Sequence, residues 1–212
     1  MRPEFNSLSL DQLIDVFHRP SPEGEDYAFE YYSEVALKIR QQGEIGVNAL
    51  WNDIEKANID RLRAIIVALS MPAITQPKLI PLANDRLLKL SGLLKKYLQH
   101  DEPFVIMEAI DGLRHLEDRS VVNQVLTLRD HHSPYVRGSV LRYMAKLWPE
   151  QSYQLLLNAL SDQNFIVRES ALDELGELGR PEAIPHIQLL LKDEHPDVQQ
   201  AATTALGFLT NS

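Results

Sequence analysis

Apolar positions recur along this chain at two nested periods. In the segment 162–178, Val167, Ala171, Leu175 and Leu178 stand at offsets 0, 4, 8 and 11, the spacing of one face of a helix. The same face returns 31 residues later as Val198, Ala202, Leu206 and Leu209, and 31 residues earlier as Val136, Val140, Met144 and Leu147. A fourth copy reads Val105, Ala109, Leu113 and Leu116. A unit of this length cannot bury its apolar face alone, so a fixed period of this kind predicts a solenoid of stacked units. Ahead of each copy runs a second helical pattern, with Leu94, Val125, Leu156 and Ile187 in one column and Tyr97, Leu128, Ala159 and Leu190 in another. The units are therefore helical pairs. Turns fall between pairs at Asp118–Arg119, Trp148–Pro149 and Arg180–Pro181, and within them at Asp101–Pro103, His131–Pro134 and His195–Pro196. Proline opening a helix costs no hydrogen bond, because the first N–H groups have no partner in any case.

Upstream the pattern is fainter. Ser9 and Gln12 have capping-box spacing before Leu10, Leu13, Ile14 and Phe17, and Pro20, Pro22 and Gly24 predict a stop near His18. A second helix is predicted from about Glu25 to Gln42, burying Ala28, Tyr32, Val35 and Ile39. Tyr27, Phe29 and Tyr31 are expected to pack on the first helix, with a partner-binding patch as the alternative. Gly43 and Gly46 are expected to separate this unit from the next. Val47, Leu50, Ile54, Ala64, Ala68 and Leu69 then match Ile184, Ile187, Leu191, Ala201, Ala205 and Leu206 at a constant offset of 137. That offset exceeds a whole number of repeats and requires an insertion, which the proline-punctuated stretch Pro72–Pro81 supplies. The resulting layout is an N-terminal helical cap over 1–44, a degenerate repeat over 45–71, a proline-rich insert over 72–84 and four repeats over 85–212, all in one domain.

Composition removes several chemistries. None of the 212 residues is cysteine, so disulfides, thiolate metal sites and cysteine nucleophiles are excluded. No secretory leader is legible at the N-terminus, and the apolar run Ala64–Leu69 is too short to span a bilayer. A soluble, cytoplasmic protein is expected. The formal charge of −9 is uneven. Residues 119–160 carry five basic and two acidic side chains, whereas 162–212 carry three and nine. Such a field repels phosphate backbones and attracts basic surfaces at the C-terminal end.

The second helices resemble HEAT repeats. Asp162, Val167-Arg168, Ala171, Leu175-Gly176 and Leu178 follow the D-x4-V-R-x2-A-x3-L-G-x-L pattern of the HEAT-like family known from phycobilin lyases and related bilin-protein factors. Asp193 to Leu209 follows it with Gln199 in place of the arginine, and Val136-Arg137 keeps the dipeptide. The resemblance covers about residues 85–209 well and 45–71 poorly. It implies helical solenoids that mostly bind proteins, with the second helices lining the concave side.

On that reading three columns are free to face a partner: Asp111, Arg142, Asp173 and Thr204; His115, Lys146, Glu177 and Phe208; and Met107, Gly138, Glu169 and Gln200. With units about 8–10 Å apart, Arg142 is expected between two carboxylates and Lys146 opposite Glu177. The candidate partner-binding residues are Phe104, Met107, Asp111, His115, Tyr135, Arg142, Lys146, Glu169, Asp173, Glu177 and Phe208. Phe104, Tyr135 and Phe208 would supply apolar anchors. Arg168 and Asp162 are read as structural, pairing with each other or with the adjacent unit.

No catalytic signature emerges. His100, His131, Asp162 and Asp193 share a column, but a spacing of about 10 Å is too wide for two ligands each about 2 Å from one ion; turn and capping roles are expected. No nucleophile elbow or phosphate loop is present. The chain is therefore expected to be an all-α, right-handed α-solenoid of about five HEAT-like helical pairs with an N-terminal cap. Its expected role is a non-catalytic scaffold for another protein, one carrying a basic patch, with no cofactor, no metal, no nucleic acid and no membrane insertion. The family resemblance leaves a phycobilin lyase-like or chaperone-like factor acting on a bilin-carrying protein as the alternative. A DNA glycosylase on HEAT-like repeats is disfavoured, because it needs a basic track where Asp111, Glu169, Asp173 and Glu177 stand.

Overall fold

The computed structural model of the protein describes residues 2–75 and 78–210. Two compact units divide the chain, Met1–Leu116 and Glu117–Ser212. The boundary falls between the first and second of the four repeats expected over 85–212. Among the described residues there are twelve α-helices and no strand.

The first unit opens with a 3-10 turn, Pro3–Ser7, followed by α1 (Leu10–His18), α2 (Ala28–Arg40), α3 (Glu44–Asp53) and α4 (Ile59–Ser70). After a 3-10 turn at Ala73–Thr75 come α5 (Asn84–Tyr97) and α6 (Pro103–His115). The capping box of α1 forms as its spacing requires: the Gln12 N–H donates to Ser9 Oγ at 3.3 Å, and the Ser9 N–H donates to Gln12 Oε1 at 2.8 Å. Each helical pair lays its second helix against that of the next, α2 on α4 and α4 on α6. The region expected as a cap is thus a helical pair of the same kind. Val47, Leu50, Ile54, Ala64, Ala68 and Leu69, the residues matched across the 137-residue offset, are all buried.

The aromatic cluster of α2 divides. Tyr31 and Tyr32 are buried; Tyr32 meets Phe17 edge-on at 5.7 Å, and Tyr31 meets Phe5 at the same distance. Tyr27 is exposed. Phe29 departs from the expectation and turns to Arg63 on α4, whose guanidinium lies 3.7 Å from its ring centre. Gly46 departs too. It is a packing residue inside α3, because a Cβ there would stand 1.8 Å from the Ile39 carbonyl oxygen. Gly43 alone makes the break, at φ 75° before α3, where a side chain would be strained. Residues 76–77 of the expected insert lie outside the described residues. Of its remainder Leu79 is buried, while Ile74 and Ile80 are exposed.

The second unit holds a 3-10 turn at Arg119–Val121 and then α7 (Val122–Leu126), α8 (Pro134–Leu147), α9 (Pro149–Ala159) and α10 (Phe165–Leu178). It ends with 3-10 turns at Pro181–Ala183 and Leu190–Lys192 on either side of α11 (Ile184–Leu189), and with α12 (Pro196–Thr210). Here α8 lies on α10 and α10 on α12. Val136, Val167 and Val198 are buried, as are Val140, Ala171 and Ala202. Each buried Val or Leu of these columns stabilises the stack by about 1.5–3 kcal/mol. Gly176 lets α10 and α12 approach, since a Cβ would come within 3.0 Å of the Ala205 Cα. Each unit therefore shows the α-solenoid rule that the period predicts.

Candidate functional site

The repeating turn before each second helix has one chemistry. The N–H of residue i+2 donates back to the side chain of residue i: Glu102 to His100 Nδ1 at 3.0 Å, Ser133 to His131 Nδ1 at 3.1 Å, Asn164 to Asp162 Oδ1 at 2.8 Å and His195 to Asp193 Oδ1 at 2.9 Å. The His/Asp column is therefore a column of turn acceptors. The arginines complete it. Arg137 donates Nε and Nη2 to the two oxygens of Asp162, and Arg168 does the same to Asp193, at 2.9 and 2.7 Å in both pairs. Each Nη1 also binds the turn of its own repeat, at His131 O (2.8 Å) and Asp162 O (2.9 Å). Arg168 thus bonds Asp162 through a carbonyl and pairs with the carboxylate of the following unit, a structural role.

The solvent side of the second helices holds the candidate residues. In the first unit, Arg63 of α4 lies between Phe29 and Phe104, 4.5 Å from the Phe104 ring centre, and reaches Glu108 of α6 at 3.3 Å. Phe104 is thus covered by a cation. Met107 is half-buried, and Asp111 accepts from Arg114 Nε at 3.3 Å on its own helix. His115 sits at the end of α6 with its Nε2 3.1 Å from Arg114 Nη2. Partial burial of the ring and the Arg114 charge lower its pKa, against a smaller opposite pull from Asp111. Arg63 and Glu108 were missed by the pattern of apolar columns alone. The 137-residue offset would have found Arg63, because it places that residue in the column of Gln200.

In the second unit the columns run over α8, α10 and α12. Tyr135 is exposed at the start of α8, and Arg142 Nη2 donates to Ser139 Oγ at 2.6 Å. Glu169, Asp173 and Glu177 follow one another at one-turn intervals along α10. Partial burial raises the pKa of Glu169, helped by Asp173 and Asp197 and opposed by His195. Partial desolvation likewise raises that of Asp173, helped by Glu177, while Arg142 pulls it down. Phe208 on α12 is 56% exposed and stands beside Gly176, where a Cβ would come within 3.3 Å of its ring. Lys146 is exposed, and among the described residues it makes no ion pair with Glu177. Arg142 thus acts on Asp173 from the neighbouring helix, while Lys146, expected opposite Glu177, makes no ion pair with it.

Among the described residues no three His, Asp or Glu side chains are grouped to hold a metal ion. No helix among them is long and apolar enough to cross a membrane.

The family model for HEAT repeats matches residues 90–172 and again 153–212, together more than half of the chain. The chain belongs to the HEAT repeat family. One similar sequence is the deoxyhypusine hydroxylase of Candida albicans, 26% identical over 187 residues, covering 84% of this chain and 56% of the hydroxylase. The chain thus spans about half the length of this curated relative. Three solved structures are similar to this chain in fold. One is an engineered protein (TM-score 0.58, 17% identity, 95% of this chain and 96% of that one). A second is a designed armadillo repeat protein in complex with the peptide (KR)4 (0.54, 18%, 95% and 100%). The third is the complex of CpcE and CpcF of phycocyanin lyase from Nostoc sp. PCC7120 (0.50, 17%, 95% and 81%). At such identities the likeness is one of fold.

Proposed function

We propose that this HEAT-repeat chain is a non-catalytic scaffold that binds a basic segment of another protein along the solvent side of α8, α10 and α12. The observation that carries the reading is the row of carboxylates Glu169, Asp173 and Glu177 at one-turn intervals along α10. Desolvation raises the pKa of Glu169 and of Asp173, aided by Asp173 and Asp197 for the first and by Glu177 for the second, so the pull of His195 and Arg142 offsets only part of the negative charge on this face. Lysine or arginine side chains laid along α10 would relieve that repulsion, and Phe208 and Tyr135 would add apolar contact. Arg142 and Lys146 would read acidic or amide groups on the same partner. Phe104, Met107, Asp111 and His115 on α6 would be a separate candidate surface of the first unit. The peptide (KR)4 bound to the designed armadillo protein is of the same chemical class.

Fluorescence anisotropy with an alternating Lys-Arg peptide tests the reading. Asp173→Asn with Glu177→Gln is expected to weaken binding about tenfold, the scale of a lost charge-assisted contact or two. An unchanged affinity would remove α10 from the interface.

A further inference from the structure

Arg40, at the end of α2, is only 3% exposed. Its Nη1 donates to the carbonyls of Ala68 and Leu69 at the end of α4, at 2.9 and 2.5 Å. Its Nη2 reaches the Ile80 carbonyl only at 3.5 Å, and its Nε, shielded from water, has no partner. Among the described residues Arg40 forms no ion pair with a carboxylate, and burial lowers its pKa to about 10. A buried charge in this condition is unfavourable unless something negative stands nearby. The last carbonyls of α4 answer part of it.

Arg40 also borders a pocket of about 220 Å³, whose lining includes Arg86, Glu44 and the apolar side chains of Val47, Ile80 and Leu82. Two helices begin at its wall, α3 after Gly43 and α5 after Ala83, and neither has a side-chain cap. Their first N–H groups and the positive ends of their dipoles favour an anion there. Arg86 brings a second guanidinium, held by Asn48 and set 6.0 Å from the Trp51 ring centre. Glu44 is the acid of the lining, and it does not pair with Arg40.

We propose that this pocket binds a carboxylate on a short aliphatic stem, the carboxylate toward Arg40, Arg86 and the opening turns of α3 and α5, the stem on Val47, Ile80 and Leu82. The walls are too apolar to hydrate a phosphate, and the volume lies below the roughly 300–1,000 Å³ of drug-sized sites. The ligand is either a free short-chain acid or the C-terminus of a peptide with an aliphatic last residue. This inference does not rest on the partner-binding reading.

Amide chemical shifts of the full chain test it, with isovalerate as the free acid and N-acetylleucine as the peptide end. Saturable shifts are expected at Gly43, Glu44 and Ala83 with one or both carboxylates, and none with isovaleramide. The tighter of the two names the source. Arg86→Gln is expected to weaken binding about tenfold, as for one charge-assisted hydrogen bond, and Glu44→Gln to tighten it. Arg40 itself is left intact, because it also caps α4. Absence of saturation with both carboxylates at tens of millimolar, an equal response to isovaleramide or to inorganic phosphate, or unchanged affinity in Arg86→Gln would each overturn the proposal.

Discussion

Arg137 meets the Asp162 carboxylate with both Nε and Nη2, at 2.9 and 2.7 Å, although the two residues lie 25 positions apart and in successive repeats. Arg168 repeats the contact on Asp193. Where an arginine stands in one repeat, the next repeat carries aspartate in its turn. Where Leu62 and Ile106 hold the arginine's place, the following turns carry His100 and His131, whose Nδ1 accepts the turn N–H in place of a carboxylate oxygen. Gln199 holds the place once more and keeps only the carbonyl bond, donating to Asp193 O at 2.7 Å.

Removing the arginine should therefore cost more than shortening it. Arg168→Met leaves the Asp193 carboxylate without its cation and frees the Asp162 carbonyl, with an expected loss of about 3 kcal/mol. Arg168→Gln, which copies position 199, should recover part of that loss through the carbonyl bond. Urea unfolding of the two variants measures the difference, and equal losses would mean that the carbonyl bond contributes nothing.

The same pairs predict behaviour in acid. The Arg168 hydrogen bond holds the Asp193 carboxyl below its ordinary value, against the opposing effect of burial. Burial also opposes ionisation of Asp162, but hydrogen bonds from Arg137 and the Asn164 amide outweigh it. A depressed carboxyl stabilises the fold above its unfolded pKa and loses that contribution as pH falls through the folded value. Stability should thus fall steeply below about pH 4. Arg168→Met should flatten that fall, and an unchanged acid limb in pH-dependent unfolding would contradict the assignment.

His131 acts in a milder range. Burial lowers its pKa, together with the charges of His132 and Arg137, so the neutral ring is the folded form. Its contribution is present above about pH 6.5, the unfolded value, and is lost as pH falls through the lower folded value. His131→Asn keeps an acceptor for the Ser133 N–H and cannot take a proton. The stability of the variant should vary less than wild type between about pH 7 and 5. Parallel curves would place the titration elsewhere.

Glu117 follows the end of α6 with φ 52°, a backbone region costly for a residue with a Cβ. Two repeats on, Gly179 fills the same place after α10 with φ 69°. Glu117→Gly should therefore stabilise the protein by about 1 kcal/mol, read as a higher midpoint in thermal unfolding. A lower midpoint would show that the Glu117 side chain contributes more than its backbone costs.

The stacking of the second helices was legible because it rests on apolar columns, and a 31-residue period repeats them with little change. Gly46 misled because a glycine pressed against the Ile39 carbonyl looks, in sequence, like one that ends a helix. Phe29 misled because its partner is a cation on another helix, and no periodicity of apolar residues reports an Arg63 ring sandwich. Lys146 and Glu177 share a column without pairing, since a shared column fixes the height of a side chain and leaves its direction open. Asp162 and Arg168 were recognisable as structural because their six-residue spacing crosses a turn. The reach of each arginine to the neighbouring repeat required coordinates.

The most direct test of the partner-binding account is to map where a basic segment lands. Titrating the isotope-labelled chain with an alternating Lys-Arg peptide at low salt should shift the amides of Glu169, Asp173 and Glu177 on α10 together with Phe208 on α12, and the shifts should shrink as salt screens the charges. No shift, or shifts that leave α10 untouched, would contradict the account.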